Sequence, residues 1–101
     1  MPRFYSIDVD GSALEEDALY WQAVATARAG RSHEASQLFE AFLQRFPAGA
    51  RPGTATLALA WLRFDAGETD QARALFERAA KDSSAKVREG AYEGLHRLRV
   101  R

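Results

Sequence analysis

Two stretches of the chain repeat each other at an offset of 37 residues. The matches fall at turns and at apolar helix positions, and they do not come from a low-complexity tract. A period of this size indicates helix–turn–helix units stacked side by side, because one such unit cannot bury its apolar face alone. The matched pairs are Ala29-Gly30 with Ala66-Gly67, Ala35 with Ala72, and Leu38-Phe39-Glu40 with Leu75-Phe76-Glu77.

The composition fits one small domain or a tight array of small units, since the chain has 101 residues. Fourteen basic residues balance fourteen acidic ones, and 47% of the residues are hydrophobic. This balance disfavours wholesale disorder and a strongly basic nucleic-acid-binding surface. The sequence contains no cysteine, which excludes disulfides, thiolate zinc sites and thiol catalysis.

Apolar periodicity and capping residues predict five helices. Ser12 and Glu15 have the spacing of a capping box at the start of the first helix. Gly30 and Gly67 should end the first and third helices with a positive φ. The predicted spans are 13–29, 33–45, 54 to Gly67, 68 or 69 to the break at 82–84, and 85–99.

Each predicted helix carries an apolar stripe that we expect to face the core. We assign Trp21 and Phe39 to that core, and Ser32 to the N-cap of the second helix. The stripes are Leu14, Ala18, Trp21 and Ala25 on the first helix; Ala35, Leu38, Phe39, Phe42, Leu43 and Phe46 on the second; Leu57, Ala60, Trp61 and Phe64 on the third; Ala72, Leu75, Phe76 and Ala79 on the fourth; and Val87, Ala91, Leu95 and Leu98 on the fifth.

Residues 3–10 alternate in the manner of a strand, and Gly11 breaks the alternation. The pattern predicts an extended arm over residues 1–11, followed by a helical domain over residues 12–101. Tyr5, Ile7 and Val9 would share one face of the arm, and Phe4, Ser6 and Asp8 the other.

The repeated residues resemble the tetratricopeptide repeat family. Its second helix carries a small residue four positions before an aromatic one, as in Ala35/Phe39 and Ala72/Phe76, and a glycine lies in the turn of each unit. A proline commonly closes the repeat, as Pro47 does, although Ser84 stands at the second closing position. The first-helix pattern is matched only in part, and the period is 37 rather than the usual 34.

The resemblance implies an all-α solenoid with units over about residues 13–47 and 54–83 and a closing helix over about 85–99. The last helix also resembles the second helix of a HEAT repeat. One helix does not decide between the two families, and both give an α-solenoid.

The resemblance further implies a protein–protein interaction module that holds a peptide or protein segment in a concave groove lined by the first helices. Trp61 and Phe64 could equally belong to the core, and that alternative stays open. The groove residues that the resemblance implies are Asp17, Tyr20, Val24 and Arg28 from the first unit, and Leu57, Trp61, Phe64 and Asp65 from the second.

Two other functions compete with peptide binding. In one, the chain is a structural module that forms a homo-oligomer, with a homodimer as the commonest form, and a second copy occupies the groove. In the other, the basic C-terminal region contacts nucleic acid, since residues 81–101 contain six basic and three acidic side chains. A solvated helix end explains these charges as well, so we expect no nucleic-acid partner.

The sequence predicts no catalysis, no metal site and no cofactor. Residues 7–12 resemble the first motif of haloacid dehalogenase phosphatases, but the lysine and further carboxylates of that chemistry do not follow Asp8 and Asp10. Neither His33 nor His96 has a second ligand at metal-binding spacing. No secretory signal or membrane-spanning stretch is visible, so we expect a cytoplasmic location and no membrane.

Overall fold

The computed structural model describes residues 12–47 and 51–100. In these residues the chain forms five α-helices, which confirms the prediction of an all-α solenoid. The predicted arm over residues 1–11 lies outside the described part of the chain. The helices are α1 (Ser12–Arg28), α2 (Ser32–Arg45), α3 (Pro52–Asp65), α4 (Thr69–Ala79) and α5 (Ala85–Arg99).

The turns inside the two units have the same backbone geometry. Gly30 has a φ of +86° and Gly67 a φ of +83°, as predicted. In the first turn the Gly30 N–H donates to the Ala27 carbonyl at 3.0 Å, and the Arg31 N–H donates to the Thr26 carbonyl at 3.1 Å. This pair of bonds is a Schellman motif, which satisfies carbonyls at the helix end. The second turn repeats it with Gly67 to Phe64 at 3.1 Å and Glu68 to Arg63 at 2.9 Å.

Two predicted helix starts are wrong. Ser32 is the first residue of α2, and the N-cap is Arg31, which provides no side-chain hydrogen bond. The Schellman turn already fixes the backbone at this point. The third helix begins at Pro52 rather than near Thr54. A proline fits the first position of a helix because its fixed φ is helical and its missing N–H would have no partner there.

The N-cap of α5 is Ser84, the last residue of the predicted break at 82–84. Its Oγ accepts a hydrogen bond from the Val87 N–H at 3.4 Å. At the start of α1, the side chain of Ser12 lies outside the described part of the chain. The Glu15 carboxylate there accepts a hydrogen bond from Arg45 at 2.8 Å, which ties the first turn of α1 to the last turn of α2.

Consecutive helices pack against one another, and α5 also packs against α3. Phe39 and Phe76, at equivalent positions of the two units, are 1% and 0% exposed, which confirms their assignment to the core. Alanines Ala35 and Ala72 are fully buried and allow the paired helices to approach closely. The first core cluster contains Tyr20, Ala23, Phe39, Phe42, Ala55 and Leu59; the second contains Ala60, Ala72, Phe76 and Leu98.

Two glycines of α5 let this helix approach the second unit closely. A Cβ atom on Gly94 would overlap the ring of Phe76, and one on Gly90 would overlap the side chain of Leu57. A glycine inside a helix costs about 1 kcal/mol relative to alanine, so the close packing has to offset this cost. The role of these two glycines was not predicted from the sequence, although their spacing of four places both on one face.

The predicted core stripe of α1 is wrong. Leu14 is 62% exposed and Trp21 is 51% exposed, whereas Tyr20 and Ala23 point into the core. The first helix carries apolar side chains on two faces, and α2 covers only one of them. Periodicity alone does not show which face that is. The uncovered face carries four exposed residues: Leu14, Ala18, Trp21 and Ala25.

None of the helices in the described part of the chain is long and apolar enough to cross a membrane.

Candidate functional site

The predicted binding residues lie on α1 and α3. We use the name first-helix face for the exposed surface of α1, α3 and α5. Asp17, Arg28 and Asp65 are exposed there. Val24 is half-buried and packs against the first core cluster. Three of these side chains are charged and the fourth is half-buried. A large apolar contact surface would therefore have to come from the aromatic residues around them.

Tyr20 does not line an open groove as predicted, because it is only 8% exposed. Its ring lies 5.6 Å from the ring of Phe42 and 6.3 Å from that of Phe39, measured between centroids. The residue belongs to the first core cluster. Its neighbour Trp21, which was assigned to the core, holds the exposed position instead.

The predicted residues of α3 lie partly beneath α5. Trp61 is half-buried, with its ring 4.9 Å from Phe76 and 5.5 Å from Phe64. Phe64 and Leu57 are also half-buried and pack against the second core cluster. Trp61 and Phe64 therefore pack on the core, and each keeps an exposed portion. Their part in a groove stays a prediction.

A cluster around Arg51 joins α1 to the start of α3. The Arg51 guanidinium lies 4.8 Å from the ring centroid of Tyr20 and 5.2 Å from that of Trp21. Its Nη2 atom is 3.2 Å from Oδ1 of Asp17. Exposed contacts of these kinds contribute only about 0.5–1 kcal/mol each. Their main effect is to fix the orientation of the guanidinium and of the indole.

A second cluster of a tryptophan, an arginine and a carboxylate lies between α3 and α5. The Arg97 guanidinium is 5.6 Å from the ring centroid of Trp61. Its Nη2 atom is 3.0 Å from Oε2 of Glu93. The first-helix face therefore carries two tryptophans, each beside an arginine that a carboxylate holds in place.

The sequence contained a signal for Trp21 that the prediction did not use. Asp17, Trp21 and Arg28 are four and seven residues apart, so they share one face of a helix, whereas Tyr20 is rotated away from that face. Arg97 could have been found from its spacing of four to Glu93. Arg51 precedes α3 in the loop between the units, and no periodic pattern points to it.

Arg63 connects the two units on the other side of α3. It donates to Glu68 at 2.9 Å and also to Glu40 of α2. Burial disfavours its charged form, but the hydrogen bond to Glu68 and the charge of Glu40 outweigh this effect and raise the pKa of Arg63. The side chain is thus fully engaged within the protein, and we assign it a structural role.

A pocket of about 390 Å³ lies between α2, α3 and α4, away from the first-helix face. None of the eight predicted binding residues lines it, and Arg63, one of its two arginines, is already paired with two glutamates. The pocket therefore lacks the exposed aromatic side chains that the first-helix face provides. Its walls consist of Glu40, Leu43, Gln44, Leu59, Arg63, Gln71, Ala74, Leu75 and Arg78.

The repeated unit of two antiparallel helices, with the same turn at the same offset, defines an α-helical repeat protein. The family model for the tetratricopeptide repeat matches residues 17–48 and again residues 54–84. The chain therefore belongs to the tetratricopeptide repeat family, whose repeats are generally protein–protein interaction modules and whose members are typically scaffolds without catalytic activity. Comparison with curated proteins and with solved structures found no match.

Proposed function

We propose that the chain binds a peptide or a segment of a partner protein across the first-helix face. The observation that carries this proposal is the position of Trp21, which is 51% exposed and lies beside Arg51. Tryptophan and arginine dominate the binding energy of many interfaces. Because Asp17 holds Arg51 in place, less side-chain entropy is lost when a partner binds.

The chemistry of the face suggests the kind of segment that would fit. The exposed part of the Trp21 indole offers contact for one large apolar side chain of the partner. Arg28 and Asp65 add one charge of each sign at the surface. We therefore expect a partner segment with an apolar anchor flanked by charged residues, and only a moderate dependence of its affinity on salt.

The eight residues predicted from the sequence take different parts in this proposal. Tyr20 acts from beneath, as the ring on which the Arg51 guanidinium lies. Trp61 and Phe64 contribute their exposed portions next to Arg97. The remaining predicted contacts are Asp17, Val24 and Arg28 on α1, and Leu57 and Asp65 on α3.

A peptide-library selection against the full chain tests the proposal. The peptide that is enriched should bind at least about tenfold more weakly to Trp21→Ala, because such a loss corresponds to about 1.4 kcal/mol. Glu77→Ala is the control, since Glu77 is exposed and lies on α4, outside the first-helix face. Equal affinity of the two variants, measured by calorimetry, would show that Trp21 takes no part in binding.

Self-association is a second candidate function, in which another copy occupies the first-helix face. The observation that favours it is the charge pattern of α1. Asp17 lies near one end and Arg28 at the other, so two antiparallel copies would bring opposite charges together. Sedimentation over a range of concentrations tests this candidate. A dimer that Trp21→Ala converts to a monomer would support it, and a constant monomer mass would rule it out.

The proposal assigns no reaction and no cofactor to the chain. The cytoplasmic location and the absence of membrane and nucleic-acid partners stay predictions of the sequence.

A further inference from the structure

The start of α3 lacks the residues that usually stabilise a helix N-terminus. Its N-cap, Arg51, provides no side-chain hydrogen bond, and its first turn contains no acidic residue. The first N–H groups of a helix have no acceptor within the helix, and a negative charge beside them is favourable. An acidic group from elsewhere in the chain would therefore stabilise the beginning of α3.

Asp82, in the turn between α4 and α5, brings a carboxylate to this position. A Cβ atom on Gly53, the second residue of α3, would overlap both carboxylate oxygens of Asp82. Because Cα–Cβ bonds in a helix tilt toward its N-terminus, the carboxylate lies beside the first turn of α3. The absence of a side chain at Gly53 thus makes room for this contact.

The turn that carries Asp82 is itself held in place. Oδ2 of Asp82 accepts a hydrogen bond from the Ser84 N–H at 2.9 Å. The Arg88 guanidinium donates to the main-chain carbonyls of Asp82 and Ser83, at 2.8 and 3.0 Å. The carboxylate is therefore presented to α3 from a fixed turn rather than from a free side chain.

The first unit is closed at the equivalent place by an ion pair. Arg45 and Asp82 are 37 residues apart in the chain, and so are Glu16 and Gly53. Arg45, in the last turn of α2, lies 2.8 Å from the carboxylate of Glu15, which precedes Glu16 on α1. Both units thus join the end of their second helix to the first turn of their first helix. The first unit does so with an exposed ion pair, and the second with a carboxylate against a glycine.

Arg51 links the contact of Asp82 with Gly53 to the binding site proposed above. It immediately precedes α3, and its side chain lies beside Trp21 and 3.2 Å from Asp17. We propose that Asp82 is a positioning residue for the contact between Arg51 and Trp21. It fixes the first turn of α3, and this turn fixes the direction in which Arg51 extends toward α1. The inference rests on the proposed function of Trp21 in binding, but the contact itself is measurable without a partner.

The free full-length chain provides the first test. Arg51→Ala is the reference variant, since it removes the guanidinium from the Trp21 indole, whose N–H signal is followed by NMR. Asp82→Ala should move this signal in the same direction as Arg51→Ala. The matched control is Ser84→Ala, which removes the cap of α5 but keeps the Asp82 carboxylate, and it should leave the signal in place. No shift in Asp82→Ala, or an equal shift in the control, would overturn the proposal.

Gly53→Ala tests the same contact from the other side. Alanine favours a helix more than glycine does, so a role in helix stability alone predicts no damage at this position. Its Cβ atom would nevertheless displace the Asp82 carboxylate. The Trp21 signal should therefore shift as it does in Asp82→Ala, and the double variant should show no further shift. Additive shifts would overturn the proposal, because the two residues would then act independently.

The affinity for a peptide selected against the full chain measures the consequence for binding. The peptide should bind Asp82→Ala at least about threefold more weakly than the native chain, which is a usual effect of a residue that acts on a site without touching the ligand. Its affinity for Ser84→Ala should be unchanged. If Trp21→Ala weakens binding and Asp82→Ala does not, the positioning role alone is overturned. If Trp21→Ala has no effect, the proposed function fails, and the signal of the free chain still decides the role of Asp82.

Discussion

The two helix pairs have nearly the same backbone but different surroundings. Their turn glycines have φ values of +86° and +83°, and the equivalent phenylalanines of their second helices are both fully enclosed. The second pair lies between α2 and α5, so Trp61 is half-buried. The first pair has no described helix on the outer side of α1, and Trp21 is 51% exposed. The position of a unit in the array, rather than its internal structure, thus decides what its first helix exposes.

The largest expected effect tests the similarity of the two cores. Phe39→Ala and Phe76→Ala should each lower the free energy of unfolding by about 3–5 kcal/mol, because both rings are fully buried. Urea denaturation measures both values, and Val100→Ala, at a side chain that is 66% exposed, is the control. A loss below about 1 kcal/mol at one phenylalanine alone would show that the two positions are not equivalent.

The next prediction concerns α5, which packs against the second helix pair. No described helix packs on the outer side of the first pair in this way. Gly94→Val should cost about 1–3 kcal/mol, since the new side chain would overlap the Phe76 ring and force α5 away. Trp61 should then become as accessible to a fluorescence quencher as Trp21. The control is Glu89→Val, at an exposed position of the same helix. Unchanged quenching of Trp61 would mean that α5 does not provide its cover.

The turns offer a smaller effect that should be equal in the two units. Gly30→Val and Gly67→Val should each destabilise by about 1–2 kcal/mol, which is the cost of a left-handed backbone for a residue with a Cβ atom. A Cβ atom added at either glycine would meet no neighbouring group within 4 Å, so the loss comes from the backbone alone. Thermal unfolding checks both variants, and the asparagine variants should recover part of the loss. A stable valine variant would contradict the role given to that glycine.

The smallest effect separates two serines at helix starts. Ser84→Ala should cost about 1 kcal/mol, because its hydroxyl caps α5. Ser32→Ala should change stability by less than about 0.5 kcal/mol, because Ser32 is not the N-cap of α2. Chemical denaturation of the two variants side by side gives both numbers. A larger loss at Ser32 than at Ser84 would reverse the assignment of the caps.

The sequence predicted the repeat, the helices and the turn geometry because these depend on local patterns. In both units, a glycine after an apolar helix predicts a turn with positive φ. In both units, a small residue four positions before a phenylalanine predicts a close helix contact. Periodicity did not predict which face of α1 is buried, since Tyr20 and Trp21 are both aromatic. The contacts with Phe39 and Phe42 place Tyr20 in the core. Arg51 was missed because its contacts join residues far apart in the chain.

The indole N–H signals of the two tryptophans test the central claim most directly, because the chain contains only these two. A selected peptide is titrated into the ¹⁵N-labelled full chain, and both signals are followed by NMR. If the first-helix face binds the peptide, the Trp21 signal should shift and saturate at the same peptide concentration as the calorimetric binding curve, with a smaller shift of Trp61. The claim would be contradicted by saturable binding that leaves both indole signals in place. In that case the backbone amide signals of residues around the pocket between α2 and α4 would shift instead.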